Sequence, residues 1–208
     1  MILVIGNKNY SSWSLRPWIA MKVFELPFDE KRIPLYIPGA KEEIRRHSPG
    51  GKVPILIDRE VTVWDSLSIL EYLAEKNPRL WPADAADRAR ARSVAAEMHS
   101  GFANLRNAMS MNVRKRYPGK GKTPEVLAEV ERIKEIWSAA KKPFLFGPFS
   151  AADAMYAPVV LRFRTYEVEL PGACGAYYEA MLALPAMQQW IEAAEREPES
   201  IPQFDMYE

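Results

Sequence analysis

The chain is predicted to fold as a small mixed α/β domain followed by an all-helical one. Three observations carry this. Short apolar strands alternate with helical stretches only up to Asn77-Pro78. Strand signals vanish after Trp81-Pro82. The rest is rich in Ala, Glu, Arg, Lys, Leu and Met. Strands and helices alternating over so short a span describe helices packed on a mixed sheet. The first domain is assigned to 1–78, a linker to 79–86 and the helical domain to 87–208.

Ile2-Leu3-Val4-Ile5 predicts a buried strand, closed by Gly6-Asn7. A polar turn over 7–14 follows. Pro17 suits the first turn of a helix, where no amide is needed. Trp18, Ile19, Met21, Val23 and Phe24 carry that helix to Pro27. Residues 28–33 predict a second strand and 40–46 a charged helix. Residues 53–58 and 61–64 predict two strands joined by Arg59-Glu60. Leu67, Leu70, Tyr72 and Leu73 give 66–76 a helical stripe. Beyond the linker, 87–116 predicts one long helix bent at Ser100-Gly101 and ended by Pro118-Gly119-Lys120-Gly121. Thr123 as N-cap with Pro124 behind it opens a helix to 140. Ser150-Ala151-Ala152-Asp153 has capping-box spacing and opens another to 167. Residues 175–184 and 185–196 predict two more.

The chain has 208 residues, 48% of them hydrophobic, enough for one large core or two small ones. A net charge of +1 argues against nucleic acid or an acidic membrane surface as main partner. One cysteine, Cys174, excludes an internal disulfide framework and a CxxC pair and fits a reducing compartment. The opening stretch has no basic n-region or long apolar h-region and does not read as a signal peptide. No apolar run approaches the roughly 20 residues of a membrane span. A cytoplasmic protein is the expectation.

Three short signals then stand in a fixed order. Tyr10-Ser11-Ser12-Trp13-Ser14-Leu15-Arg16 precedes a helix. Its hydroxyls either cap the helix or turn outward, at a terminus that favours anions, and donate to a thiolate. One hydrogen bond to a charged group is worth about 1.5–3 kcal/mol, which lowers a thiol pKa by about one to two units from ~8.5. The thiolate is the nucleophile, and such chemistry needs neither base nor metal. Lys52-Val53-Pro54 either opens a strand with an ordinary proline or holds a cis peptide that offers the Val53 backbone to an extended peptide. Asp65-Ser66 caps a helix or takes an amino-acid head group, with Ser66 on the carboxylate and Asp65 on the ammonium. Lys52 is a candidate for a second carboxylate.

With the later Ser-x-x-Asp, these signals resemble the cytosolic glutathione transferases, over essentially the whole chain. The resemblance implies a thioredoxin-like N-terminal domain, a helical-bundle C-terminal domain, a homodimer, and glutathione as co-substrate without a metal. Ser11-Ser12-Trp13-Ser14-Leu15-Arg16 is similar to the zeta-class motif Ser-Ser-Cys-Ser-x-Arg, and KVP and DSLSILEYL are similar to zeta and theta enzymes. Carried over, the thiol-activating residue is Ser11 by the zeta register and Ser12 by counting four back from Arg16; Ser12 is taken first. Trp13, Lys52, Val53, Pro54, Asp65 and Ser66 are then the glutathione-binding residues. Met98, Phe102 and Met109 fall at helical spacing, as core or as the wall of an electrophile pocket. Trp13 stands where the zeta motif has cysteine, and Thr165 where zeta enzymes have an arginine linked to diacid substrates, with Arg162 and Arg164 nearby. The implied activity adds glutathione to a small hydrophobic electrophile. The alternatives are a glutathione-dependent cis–trans isomerase like maleylacetoacetate isomerase and a non-catalytic binding or dimerisation module. His47 and His99 are read as surface or packing residues. Cys174 is read as a buried or loop thiol, and Arg106, Arg114, Lys115 and Arg116 as a mainly solvated helix face.

Overall fold

Strand β1 (Ile2–Ile5) alternates its side chains as a strand must. Leu3 and Ile5 join Leu56 in the main core, while Val4 joins Ile33, Ala40, Ile44 and Ile55 on the opposite face. In this computed structural model, which describes residues 1–207, β2 (Asp29–Arg32) lies parallel to β1. Strand β3 (Ile55–Asp58) pairs antiparallel with β1, and β4 (Val61–Val63) antiparallel with β3, in the order β2-β1-β3-β4. Helix α1 (Ser12–Val23) makes the crossover a parallel pair requires. It shares one side of the sheet with α3 (Ser66–Lys76), and α2 (Ala40–His47) covers the other through Ala40 and Ile44. Glu208, the last residue assigned to the helical domain, lies outside the described residues.

The register decides where the three motifs go. Val4 faces Ile55, and Leu56 faces Val63. The end of β1, the start of β3 and the end of β4 therefore share one end of the sheet. Ser11-Ser12, Val53-Pro54 and Asp65-Ser66 continue from those three strand ends.

A 3-10 turn at Pro78–Leu80 leads to α4 (Ala85–Ser100), α5 (Ala103–Ala108), α6 (Pro124–Ser138), α7 (Ala151–Tyr166), α8 (Gly172–Leu182) and α9 (Pro185–Glu195). Helix α7 is the axis of this domain. All its residues except Arg164 are buried, and it packs on α1 and α4. Its capping box is complete. The Asp153 carboxylate accepts the Ser150 amide at 2.8 Å, the Ser150 hydroxyl at 2.9 Å and the Leu145 amide at 3.0 Å. Burial pushes the Asp153 pKa up to about 6 against the pull of those donors. Among the described residues, no helix is long and apolar enough to cross a membrane.

Three sequence expectations need correction. Helix α1 begins at Ser12, so Pro17 lies inside it rather than in its first turn. Helix α8 begins at Gly172 instead of 175. The long helix over 87–116 does not exist. Chain 101–102 breaks it, with Phe102 in left-handed backbone at φ 59°, and helical structure stops at Ala108. Beyond Met109 the backbone bonds to distant partners instead of its own preceding turn. The Val113 amide goes to the Asn9 carbonyl, the Tyr117 amide to the Thr165 carbonyl, and the Thr165 hydroxyl to the Asn112 carbonyl.

The turn before α1 is held from the helical domain. The buried Glu197 carboxylate accepts the Lys8 amide at 2.7 Å and the Asn9 amide at 3.0 Å. The Trp190 indole donates to the Lys8 carbonyl at 3.0 Å, and the Asn9 and Asn112 side chains bond at 3.0 Å. Asp205 accepts the Tyr10 hydroxyl at 3.0 Å.

Two stability effects follow. Asp153→Ala strands three buried donors and should lower unfolding free energy by about 2–4 kcal/mol in urea titration. Glu197→Ala should cost about 2–4 kcal/mol in the same assay, because two buried amides lose their acceptor. Glu197→Gln should recover part of that at most, since its NH2 group turns a donor toward one of the two amides.

Candidate active site

The hydroxyls of the first motif have different fates. Ser14 Oγ accepts the Gly6 amide at 3.1 Å and lies 2.7 Å from Ser11 Oγ. Ser11 is buried, and its hydroxyl is engaged inside the turn. Ser12 is the first residue of α1 and half-buried. Its Oγ accepts from Arg162 Nη2 at 3.3 Å.

The second and third motifs reach the same end of the sheet. The Val53-Pro54 peptide is cis, Pro54 is buried and Lys52 is exposed. Asp65 Oδ1 caps α3 by accepting the Leu67 amide at 3.1 Å and the Ser68 amide at 3.5 Å. Arg16 Nη1 donates to Ser66 Oγ at 3.3 Å, which ties α1 directly to the head of α3.

Trp13 organises the space between them. The Arg16 guanidinium lies 4.2 Å from its ring centre and the Arg106 guanidinium 5.1 Å. His99 meets the ring edge-on at 5.3 Å, and His99 Nε2 lies 3.1 Å from Asp65 Oδ2. Arg106 also donates to the Met98 carbonyl and, at 3.1 Å, to the His99 carbonyl. Arg162 donates to the Met109 carbonyl and, at 3.5 Å, to the Arg106 carbonyl.

The result is an excess of buried positive charge. Burial first, then repulsion from Arg106 and Arg162, pull the Arg16 pKa down to about 9, with Asp65 opposing. Burial and Arg106 pull Arg162 down to about 10. Burial lowers Arg106 as well, against Glu129. All three remain cations at neutral pH. They gather where a helix N-terminus already favours an anion. Among the described residues, no cluster of His, Cys, Asp and Glu has the makings of a metal site.

The structure thus brings Trp13, Asp65 and Ser66 together through Arg16, holds Ser12 against Arg162, and sets Val53-Pro54 at the same sheet end. It does not place Met98, Phe102 and Met109 on an open wall. They are 2%, 7% and 0% exposed and belong to the core. Their helical spacing marks burial, and the Met98 and Met109 carbonyls accept from Arg106 and Arg162. His99 is not an isolated packing residue, since it pairs with Asp65. Arg106 is not part of a solvated face, since it lies against Trp13. Arg162 had one legible signal, a lone cation in the otherwise apolar run Met155 to Phe163.

Comparison with known proteins agrees with this fold. The glutathione S-transferase N-terminal domain model matches residues 10–76, and the glutathione S-transferase C-terminal domain model matches 83–193. A relative from Drosophila melanogaster, named probable maleylacetoacetate isomerase 2, is 30% identical over 174 residues, covering 78% of this chain and 74% of its own. The maleylacetoacetate isomerase of Rattus norvegicus is 29% identical over 193 residues, covering 87% of each chain. The crystal structure of a glutathione transferase homologue from Burkholderia with bound glutathione superposes with a TM-score of 0.72 at 22% identity. That match covers 94% of this chain and 98% of the other, and speaks for the fold alone. With both domain models matched in order over a sheet domain and a helical domain, the chain belongs to the glutathione S-transferase family.

Proposed function

We propose that this protein is a glutathione transferase in which Ser12 ionises the glutathione thiol for attack on a small electrophile. The observation that carries the reading is the contrast between two neighbouring serines. Ser11 is turned into a bond with Ser14, whereas Ser12 stands half-buried at the head of α1. Glutathione lies along the sheet end. Its cysteinyl backbone pairs with Val53 beside Pro54, its γ-glutamyl head group meets Asp65 and Ser66, and its glycine carboxylate lies toward Lys52. Trp13 borders the sulfur. The S–H proton leaves to water, Ser12 keeps its own proton, and the thiolate forms the new bond as the electrophile's leaving group departs. A pKa lowered by about one to two units leaves roughly a quarter to three quarters of the bound thiol ionised at pH 7. Positioning supplies the rest of the catalysis.

The arginines favour a second reading within the same chemistry. Arg16, Arg106 and Arg162 suit an electrophile that carries a carboxylate better than the purely hydrophobic one expected from sequence. In that form the thiolate adds to a conjugated double bond, the bond rotates, and the thiolate leaves. Relatives named maleylacetoacetate isomerase support this variant. We also propose a homodimer acting in the cytoplasm, on the family membership and the single cysteine.

Separate substitutions test the serine assignment. Ser12→Ala should reduce kcat/KM with a generic aryl halide roughly 10- to 150-fold, the equivalent of one charged hydrogen bond. It should leave the urea midpoint nearly unchanged. Ser11→Ala should lower stability more than it lowers turnover at saturating glutathione. A Ser12→Ala enzyme with full turnover overturns the mechanism.

A further inference from the structure

Helix α7 buries an arginine to which the reading above gives no part in activating the thiol. Arg162 is 6% exposed, yet among the described residues none of its hydrogen bonds goes to a carboxylate. Its partners are the carbonyls of Met109 and Arg106, at the C-terminal end of α5, and the hydroxyl oxygen of Ser12. Those carbonyls satisfy its N–H groups without neutralising its charge. A buried ion left without a counter-ion is costly. The nearest charges do not relieve it, because Arg106 and Arg16 are also cations. Asp65 is directed to the cap of α3 and to His99.

The hydrogen-bond chemistry at Ser12 has one solution. A guanidinium only donates, and a serine hydroxyl has one proton and two acceptor lone pairs. In the contact at 3.3 Å, Ser12 Oγ must therefore be the acceptor. Its own proton is repelled from the guanidinium and points elsewhere. Met109 is fully buried, and its carbonyl clamps the guanidinium in place. The hydroxyl is thereby set as a donor before any ligand arrives.

We infer that Arg162 is a positioning residue for thiol activation: it fixes the Ser12 hydroxyl as a donor to the glutathione sulfur and gives the thiolate its missing counter-charge. The inference rests on the glutathione reading above and deepens it. No bond to Arg162 forms or breaks, and the thiol proton goes to water. The charged and titratable groups around this point are Arg16 on α1, Asp65 at the head of α3, His99 on α4, Arg106 on α5 with Glu129 of α6 beside it, and Tyr156 and Tyr166 on α7 with Arg162 itself.

The test is the thiol pKa of glutathione bound to the full chain, read from ultraviolet thiolate absorbance against pH. Wild type, Arg162→Gln, Arg162→Lys, Ser12→Ala and the Ser12→Ala/Arg162→Gln double variant are compared. Arg162→Gln should raise the bound thiol pKa by about one unit and, as the ionised fraction falls, lower kcat roughly three- to eightfold near pH 7. The kcat loss should shrink above the thiol pKa, and KM for glutathione should rise by no more than about threefold, the part of the effect that linkage returns to binding. In the Ser12→Ala background the same change should shift the pKa less, because only the counter-charge is then left to lose. Arg162→Lys keeps the charge, but one ammonium cannot serve Met109 and Ser12 as a fork does. It should show an intermediate shift, and it carries the test if Arg162→Gln fails to fold. An unchanged bound-thiol pKa in the folded variants overturns the inference, as does an equal shift with and without Ser12. If wild type binds no glutathione, or binds it with an unshifted thiol, the proposed function itself falls and this inference with it.

Discussion

Glu197 gives its two carboxylate oxygens to consecutive amides, those of Lys8 and Asn9, across almost the whole length of the chain. The geometry of the site depends on this contact. The turn it holds connects the sheet to α1, and Ser12 begins that helix. A turn of this kind left to itself samples several conformations, since its amides have no ladder to join. Here its backbone groups are met by Glu197, Trp190 and the segment after α5. The helical domain therefore reaches into the turn that precedes α1. It sets the position of the serine that the other domain carries.

The second constraint is electrostatic. Three guanidiniums converge on Ser12 and Trp13, and burial and mutual repulsion lower the pKa of Arg16 and Arg162. Such a cluster costs folding free energy in the absence of an anion. The same cost becomes an advantage when an anion forms there, because donors fixed in advance need no reorganisation. The cation contacts with Trp13 and the carbonyls of Met98, His99 and Met109 hold the charges apart and in place. This explains why a tryptophan sits where a resembling motif has cysteine. It serves as a platform for two cations, not as a nucleophile.

Local chemistry was readable from sequence where it is written in neighbouring residues. Ile2-Leu3-Val4-Ile5, the helix from Ser66 and the Ser150–Asp153 box all form where their patterns put them. The glutathione transferase resemblance rested on three short motifs, and the register of β1, β3 and β4 sets them at one sheet end. What sequence could not supply was pairing across distance. The failed long helix ends because Ser110, Asn112 and Val113 find partners on the tail, on α7 and on the turn before α1, which no periodicity encodes. His99 and Asp65 lie far apart along the chain, so nothing marked them as a pair. Met98, Phe102 and Met109 show the converse. Their spacing was real, but it recorded burial and not a cleft.

The central claim is that binding itself ionises the thiol. Proton release on glutathione binding tests this directly. Calorimetric titration near pH 7, repeated in buffers of different ionisation enthalpy, should give heats that vary with the buffer and correspond to roughly a quarter to three quarters of a proton released per glutathione bound. Heats independent of the buffer would mean that the thiol stays protonated in the site, and would contradict the account.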